Sequence, residues 1–179
     1  IILASKRDMA AANIVDQLLT NHNFDETSER FYGNPIYSKK LTNGEIAKLV
    51  FTEEESINTQ SLLFPFALKL LIFLSRHSSK SGNPTLSVHT PGNLGEATLG
   101  GLSRRVSVSP ASAMKEALNA MKKAQEEMSL NYEVSYECTH HGPSLDVPTM
   151  FVELGSSPKQ WQDSDAAEAV MEGAVAAAS

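Results

Sequence analysis

The run LKLLIFL, from Leu68 to Leu74, limits the fold more than any other feature of the sequence. It is too short for an independent helix and, apart from Lys69, it is entirely apolar, so we interpret it as a strand. A strand without polar alternation is typical of the centre of a sheet that is covered on both faces. The apolar start of the chain, Ile1 to Ala4, predicts a second buried strand.

Amphipathic helices provide the cover that such a sheet needs. Asp8 is suited to cap a helix that ends near Asn21, and apolar residues recur behind it at helical spacing: Ala11, Ile14, Val15, Leu18 and Leu19. Pro110 predicts the start of a second helix. A final alanine-rich helix is predicted from Asp165 to about Ala177, capped by Asp163 or Ser164.

Further strands are predicted on both sides of the central one. Ile36 to Leu41 and Ile46 to Phe51 flank Asn43-Gly44, which favours a hairpin with a tight primed turn. Tyr132 to Thr139 and Thr149 to Leu154 also have the character of strands. The order of elements therefore predicts an α/β fold, a mixed sheet flanked by helices.

One long loop interrupts this order. Residues Ser78 to Gly101 are rich in Ser, Gly, Pro, Asn and Thr, and we interpret them as a loop around a brief extended piece, Thr85 to His89. A loop of this length inside a compact domain is usually functional. We expect a single domain over residues 1–179.

The formal net charge of −6 argues against a general nucleic-acid coat. Four basic pairs are candidates for a local phosphate site, although each alone is more typical of a solvated surface: Lys6-Arg7, Lys39-Lys40, Arg104-Arg105 and Lys122-Lys123. The only cysteine, Cys138, cannot form an internal disulfide, which fits a reducing cytoplasm. The run from Leu62 to Leu74 is shorter than the ~20 apolar residues of a membrane span.

Histidines cluster at predicted strand ends. His77 follows the central strand, His89 ends the extended piece, and His140 and His141 precede a Gly142-Pro143 turn. Ligands in open α/β sheets tend to bind at strand ends, so we expect one shared site. Because histidine combines acid–base chemistry near neutral pH with metal binding, we expect this site to be catalytic.

Strand alternation limits how these side chains converge. On a straight strand His140 and His141 would face opposite ways, but the turn that follows allows both to reach the site, or one to take a supporting role. Glu153 shares a face with Phe151 in an apolar strand. A buried carboxylate must be paired, hydrogen-bonded or protonated.

Simpler interpretations apply to single residues. A lone histidine at the end of an element is more often structural, as we expect for His22 at the end of the first helix. Cys138 beside a histidine suggests a thiol nucleophile, but its place in an apolar strand favours a small buried core residue. No HExxH or paired CxxC pattern marks a zinc site.

Four ordered motifs resemble the archaeal and plant type of D-aminoacyl-tRNA deacylase. They are FLSRHSS (73–79), LSVHTPGN (86–93), THHGP (139–143) and PTMFVELGS (148–156), followed by Trp161. The resemblance extends from about Leu70 to Val170, while the first seventy residues match only in general character.

The resemblance implies a phosphorylase- or peptidyl-tRNA hydrolase-like fold. It also implies an enzyme that uses zinc and hydrolyses the ester between a D-amino acid and the 3′ end of tRNA. Members of the family carry a further segment with a Gly-Gly-Gly-His-Tyr motif, which this sequence lacks. We therefore expect a chain truncated at its C-terminus.

On this basis we assign catalytic roles to five residues: His77, His89, His140, His141 and Glu153. The histidines either hold zinc, with His77, His89 and His140 as the candidate ligands, or act as base and oxyanion donors without metal. Glu153 would orient a histidine or accept the substrate's α-ammonium group.

Substrate-binding residues are assigned around this centre. Arg76 is a candidate for the terminal phosphate or ribose, because its planar fork suits phosphate oxygens, although a salt bridge is the commoner role. The candidates for ribose hydroxyls, or for satisfying loop backbone, are Ser75, Ser78, Ser79 and Asn93. The Gly142-Pro143 turn is a candidate for close approach to the substrate.

The expected partner is tRNA, in the cytoplasm, and we favour a monomer. Two alternatives remain open. One is a peptidyl-tRNA hydrolase-like, zinc-assisted hydrolase of N-blocked aminoacyl esters, and the other is a non-catalytic tRNA-binding module.

Overall fold

A computed structural model describes all 179 residues and shows an eight-stranded mixed sheet with helices on one face. In chain order the strands are β1 (Ile2–Ser5), β2 (Asp25–Phe31), β3 (Asn34–Lys40), β4 (Ile46–Thr52), β5 (Leu71–Arg76), β6 (Thr85–His89), β7 (Gly92–Asn93), β8 (Arg105–Val106), β9 (Glu133–Tyr136) and β10 (Thr149–Gly155). The helices are α1 (Met9–Asn21), α2 (Ala111–Glu127), α3 (Pro158–Trp161) and α4 (Ser164–Ala178), with a 3₁₀ helix at Ser56–Ser61.

The sheet has the strand order β2-β3-β4-β1-β5-β10-β6-β9, and β7 pairs separately with β8. Its centre is parallel, because β4, β1, β5 and β10 run in the same direction. β3 is antiparallel to β4, and β6 is antiparallel to β10. The predicted central strand is confirmed, since β5 lies between β1 and β10 with Leu71 to Leu74 fully buried.

The two faces of the sheet are covered differently. Helices α1, α2 and α4 pack on one face and enclose the larger apolar core. On the other face a smaller core, which includes the stacked rings of Phe73 and Phe151, is covered by the apolar segment from Leu62 to Phe66 and by Leu145. Alternation along β10 turns Glu153 toward this second face, together with Phe151.

Asp8 links the start of α1 to the end of β5. Its Oδ1 accepts hydrogen bonds from the backbone N–H groups of Ala10 and Ala11, which confirms the predicted N-cap. Its Oδ2 accepts the backbone N–H of Arg76 at 2.9 Å and the Ser75 hydroxyl at 3.3 Å. The side chain is almost fully buried, so these donors replace the water that the carboxylate loses on folding.

Several sequence predictions need correction. β2 (DETSERF) was not predicted, because this exposed edge strand has no apolar alternation. The tight primed turn is not at Asn43-Gly44, where residues 41–45 separate the paired Lys40 and Ile46. It is at Tyr32-Gly33, between the paired Phe31 and Asn34, with positive φ at both turn residues.

The segment from Ser78 to Gly101 is less loop-like than predicted. The piece from Thr85 to His89 is β6, a fully buried strand of the main sheet. The helices α2 and α4 agree with the patterns, with Asp163 as the N-cap of α4, whereas the strand predicted from Tyr132 to Thr139 is the shorter β9. The 3₁₀ helix, β7, β8 and α3 were not predicted. None of the helices is both long enough and apolar enough to cross a membrane.

Replacing Asp8 by alanine removes the α1 cap and leaves the Arg76 backbone N–H without its acceptor. We expect Asp8→Ala to lower the free energy of unfolding by about 2–4 kcal/mol, the sum of a lost cap and an unpaired buried donor. Urea denaturation followed by circular dichroism measures this. The exposed Asp16 in the middle of α1 is a matched control, for which Asp16→Ala should change stability by less than about 0.5 kcal/mol. Equal effects of the two substitutions would contradict the assigned role of Asp8.

Candidate active site

A cavity of about 340 Å³ opens where the chain leaves β1 and β5, at the carboxyl ends of these parallel strands. This is the edge of an open α/β sheet at which ligands tend to bind. Twelve residues line it: Asp8, Glu55, Ser56, Ile57, Ser75, Arg76, His77, Ser78, Leu99, His140, His141 and Glu153. The cavity thus collects several of the predicted site residues from distant parts of the chain.

Three histidines form one compact group, which we call the histidine triad: His89, His140 and His141. One ring nitrogen from each lies within 4.8 Å of those of the others. The ring centroids of His89 and His140 are 4.3 Å apart, and that of His141 is 4.8 Å from His89. The predicted convergence of the two adjacent histidines is therefore seen, because His141 has a positive φ of 46° that bends the chain there.

Each imidazole of the histidine triad has its Nδ1 next to a backbone carbonyl oxygen. The distances are 3.3 Å from His89 to Thr90, 2.8 Å from His140 to Cys138 and 3.0 Å from His141 to Gly142. A carbonyl oxygen only accepts, so Nδ1 carries the hydrogen in all three rings. In the neutral form of each ring, the lone pair is then on Nε2.

A second group consists of His77, Glu137 and Glu153, again with ligand atoms within 4.8 Å of one another. His77 Nδ1 lies 3.1 Å from Glu137 Oε1 and 3.7 Å from Glu153 Oε2. Glu153 Oε2 is also 3.6 Å from His89 Nε2, and Glu137 Oε2 is 3.8 Å from His140 Nε2. The two carboxylates therefore join the second group to the histidine triad.

Electrostatics fix the charge of the second group. Glu137 and Glu153 raise the pKa of His77 to about 10, so this imidazole is protonated at neutral pH. Burial opposes ionisation of Glu153, but the adjacent His77 and His89 outweigh it and hold the pKa of Glu153 well below its usual range. Glu137 behaves similarly, because His77 overcomes its burial and lowers its pKa.

Within the histidine triad, the pKa of His141 is lowered and that of His89 is raised. Burial, followed by the charge of His89, lowers the pKa of His141 to about 4, so His141 is neutral at pH 7. For His89 burial favours the neutral form, but Glu153 outweighs it and raises the pKa. His89 is fully buried, and its Nε2 has no partner at hydrogen-bond distance.

Arg76 lies in the cavity wall as a salt-bridge partner. Its guanidinium is 3.0 Å from Glu55 and 3.6 Å from Asp8. It also lies 5.8 Å from the ring of Trp161, whose indole N–H donates to the backbone carbonyl of His77 at 2.9 Å. Arg76 therefore holds two carboxylates in place, which is the commoner of the two roles considered for it.

The serine and asparagine candidates separate into two classes. Ser78 lines the cavity, is exposed, and bonds no other protein group through its hydroxyl. Ser75 also lines the cavity but donates to Asp8, while Ser79 contacts the Ser81 hydroxyl outside it. Asn93 is buried away from the cavity and donates to the backbone oxygens of Gly100 and Leu102. Asn93 therefore satisfies loop backbone, which was the alternative considered for it.

The Gly142-Pro143 turn does not line the cavity, and its close approach to the substrate stays a prediction. Another part of the backbone occupies the space beside Gly142 instead. A Cβ at this position would lie 2.1 Å from Gly101 N and 2.3 Å from Gly100 C. The N–H of Gly142 donates to the carbonyl of Leu99 at 2.8 Å. Glycine here allows two loops to touch.

Two further outcomes concern the segment after β9. Cys138 is exposed, so the prediction of a buried core residue is wrong, because β9 ends at Tyr136 and Cys138 lies outside the sheet. Glu137 was missed because the predicted strand that carries it, Tyr132 to Thr139, is not apolar, whereas Glu153 stands out within an apolar strand. His22 is the C-cap of α1 as expected and lies next to Glu172, outside the site.

The predicted ligand set is distributed over both groups. His89 and His140 belong to the histidine triad, whereas His77 belongs to the carboxylate-containing group. The triad nevertheless has the properties of a metal-binding site. It offers imidazole nitrogens with fixed Nδ1 hydrogens, and one of its Nε2 atoms is buried without a partner.

Comparison with known proteins identifies related sequences. A family model described as "D-aminoacyl-tRNA deacylase" matches residues 64–179. Two proteins named D-aminoacyl-tRNA deacylase, from Thermococcus onnurineus and Pyrococcus abyssi, share 38% and 39% sequence identity with this chain. Both alignments cover 96% of it. The chain covers 63% of each, and so spans a little less than two thirds of the length of these relatives.

Solved structures agree on the fold. The crystal structure of a conserved protein of unknown function has a TM-score of 0.85 and 32% identity, over 98% of this chain and 61% of that one. The 5′-methylthioadenosine/S-adenosyl homocysteine nucleosidase of Campylobacter jejuni has a TM-score of 0.58 at 10% identity, over 99% and 97% of the two chains. The latter shows a shared α/β fold only.

Gly142 directly follows His141 and packs against the backbone of Gly100 and Gly101. A side chain at this position should therefore disturb both the stability of the protein and the position of His141. We expect Gly142→Ala to lower the free energy of unfolding by about 2–3 kcal/mol or more, since neither backbone can move without breaking hydrogen bonds. Urea denaturation measures the change. Gly95→Ala in the neighbouring loop is the control, because a Cβ at Gly95 meets nothing within 4 Å. If Gly142→Ala were as stable as Gly95→Ala, the described packing of the two loops would be wrong.

Proposed function

Because the chain belongs to the D-aminoacyl-tRNA deacylase family, we propose that it acts in hydrolysis of the ester bond between a D-amino acid and the 3′ end of tRNA. The observation that carries this proposal is the histidine triad, of which His140 and His141 line a cavity of about 340 Å³ together with the buried, ionised Glu153. Chiral proofreading of this kind removes the wrong enantiomer after aminoacylation.

Hydrolysis of an aminoacyl ester requires mainly that the protein position the reacting groups and stabilise charge. An aminoacyl ester is already activated, so hydrolysis requires an oriented water, a proton acceptor and stabilisation of the developing oxyanion. Histidines in two protonation states, held by carboxylates, provide these functions without any further cofactor chemistry being assumed.

The second group provides a fixed positive charge. His77 stays protonated between Glu137 and Glu153, and its ring lies in the cavity wall. We assign it to stabilise negative charge on the ester carbonyl oxygen, because a charge that is already oriented costs no reorganisation during the reaction. Glu137 and Glu153 are then positioning residues that hold the imidazolium in place.

The histidine triad provides the proton acceptor. His141 is neutral at pH 7, and its Nδ1 hydrogen is directed to the Gly142 carbonyl, which leaves Nε2 to accept a proton. His140 is the most accessible ring of the three and lines the cavity. We assign the orientation of the attacking water to His140 and His141.

The family resemblance also implies zinc, and as the alternative to this metal-free role we propose that His89, His140 and His141 hold the ion through their Nε2 atoms. Three nitrogen ligands with a remaining open position are typical of catalytic zinc sites. The buried Nε2 of His89 has no hydrogen-bond partner, which fits this proposal, and zinc would replace the proton that Glu153 favours on this ring. A bound zinc ion would supply Lewis acidity beside the ester carbonyl.

Substrate contacts are assigned to the rim of the cavity. The free hydroxyl of Ser78 is suited to a ribose hydroxyl of the terminal nucleotide. Basic pairs elsewhere on the chain are largely neutralised, since Lys6 pairs with Glu53 and Arg105 with Asp146. We propose tRNA as the partner on the basis of the family, and the cytoplasm, where translation takes place, as the location.

Release of free amino acid from matched D- and L-aminoacyl-tRNA tests the proposal directly. We expect hydrolysis of the D-ester only. Replacing His140 by alanine should lower kcat/KM at least about 100-fold, the usual size of a lost acid–base contribution. His22→Ala removes a histidine outside the site and should retain the full rate. Equal hydrolysis of both enantiomers, or an unchanged rate for His140→Ala, would contradict the assignment.

Metal content is a separate prediction with its own measurement. We expect ~1 zinc ion per chain by atomic absorption, and roughly 100-fold or more weaker zinc binding in His89→Ala. Zinc should raise the Tm of the unsubstituted protein and of His22→Ala but not that of His89→Ala. Equal zinc binding by His89→Ala would show that the histidine triad is not the metal site.

A further inference from the structure

The candidate site has an apolar part that the proposed chemistry does not use. Of the twelve residues lining the cavity, only Ile57 and Leu99 are apolar, and they come from different segments. Ile57 belongs to the 3₁₀ helix and is half-buried, whereas Leu99 lies in the loop between β7 and β8 and is 57% exposed. We call these two side chains the apolar wall.

The backbone carrying the apolar wall is fixed on several sides. The Leu99 carbonyl accepts the Gly142 N–H at 2.8 Å, and the Gly100 carbonyl accepts the Asn93 side-chain amide at 2.9 Å. Gly100 lies so close to Ile57 that a Cβ there would be 1.9 Å from the Ile57 carbonyl oxygen. The exposure of Leu99 is therefore not that of a loosely attached loop.

The C-terminal end of the 3₁₀ helix is hydrogen-bonded to the segment that follows the histidine triad. The Gln60 side chain donates to the Ser144 carbonyl at 2.9 Å and accepts the Ser144 N–H at 2.8 Å. The 3₁₀ helix, the loop that carries Leu99 and the segment from His140 to Ser144 are thus packed and hydrogen-bonded to one another. Ile57 and Leu99 are held at set positions relative to the reacting groups.

The apolar wall adjoins the chemistry. The hydrogen bond from Gly142 to Leu99 starts one residue after His141, so Leu99 is anchored directly beside the histidine triad. A leucine left exposed at such a place forgoes the burial that would stabilise it by about 1.5–3 kcal/mol. A bound apolar group would recover part of that burial.

We propose that Ile57 and Leu99 form the subsite for the side chain of the esterified amino acid, an inference that rests on the proposed function. The rest of the cavity lining is polar or charged and is suited to the ester carbonyl, the α-ammonium group and the ribose. The apolar wall is the part of the cavity that favours a hydrocarbon or aromatic side chain.

Such a subsite also provides the third contact that discrimination between enantiomers requires. Suppose that the ester carbonyl of the substrate lies at the histidines and its α-ammonium group at a carboxylate of the cavity. Only one configuration at the α-carbon then directs the amino-acid side chain to Leu99. The other configuration directs it at charged groups, which would lose their partners. The apolar wall thus completes a set of three contacts that distinguishes the two enantiomers.

The test compares a large and a small side chain on one tRNA. The same tRNA is charged with D-tyrosine or with D-alanine, and kcat/KM is measured for the unsubstituted protein and for Leu99→Ala. We expect Leu99→Ala to lower kcat/KM about tenfold for D-tyrosyl-tRNA and less than about twofold for D-alanyl-tRNA. Leu94→Ala is the control, because Leu94 is 76% exposed in the same loop but does not line the cavity.

Two outcomes would overturn the inference. An equal loss on both substrates would assign Leu99 to the adenine of the terminal nucleotide, which both substrates share. No loss on either substrate would show that the apolar wall does not touch the substrate. Because Leu99 is exposed, Leu99→Ala should fold normally, which its Tm verifies.

A binding measurement keeps the inference separate from the proposed hydrolysis. If the unsubstituted protein hydrolyses neither ester, the proposed function fails, and adenosine carrying D-tyrosine or D-alanine through a 3′ amide is titrated instead. Tighter binding of the D-tyrosyl compound that disappears in Leu99→Ala supports the subsite. Equal binding of the two compounds, or binding of neither, overturns it.

Discussion

A buried carboxylate within the sheet determines how the site is arranged. Glu153 lies inside β10, turned toward the face of the sheet that bears Phe73 and Phe151, and it is practically inaccessible to solvent. An ionised carboxylate at such a place is unstable without compensating charge. His77, which follows β5, and His89, which ends β6, supply that charge from the strands on either side of β10. The three strands are thus joined by charge as well as by backbone hydrogen bonds.

Packing around this charge depends on contacts between backbones. The loop that carries Gly100 and Gly101 lies directly against Gly142, and Gly100 lies against the carbonyl of Ile57. These contacts leave little freedom to the segments that hold His140 and His141. Most residues of the site lie in loops, but their positions are as well fixed as those of residues on strands.

Local patterns predicted the elements that carry strong local signals. The apolar run of β5, the Asp8 cap and the spacing of α1 each depend on neighbouring residues, and each was predicted correctly. β2 was missed because its sequence, DETSERF, has no apolar alternation and its place in the sheet comes from pairing with β3. Cys138 was misjudged because β9 ends at Tyr136, two residues before it. The four histidines and Glu153 were recognised by residue type, whereas Glu137 and the division into two groups required the three-dimensional arrangement.

The position of Trp161 gives the protein a built-in optical probe. It is the only tryptophan in the chain, its indole N–H is bonded to the backbone of His77, and Arg76 lies near its ring. Indole emission responds to nearby charge and to changes in hydrogen bonding. The tryptophan fluorescence of the protein thus comes from a single ring at the edge of the cavity. Ligand entry can be followed in real time without a label.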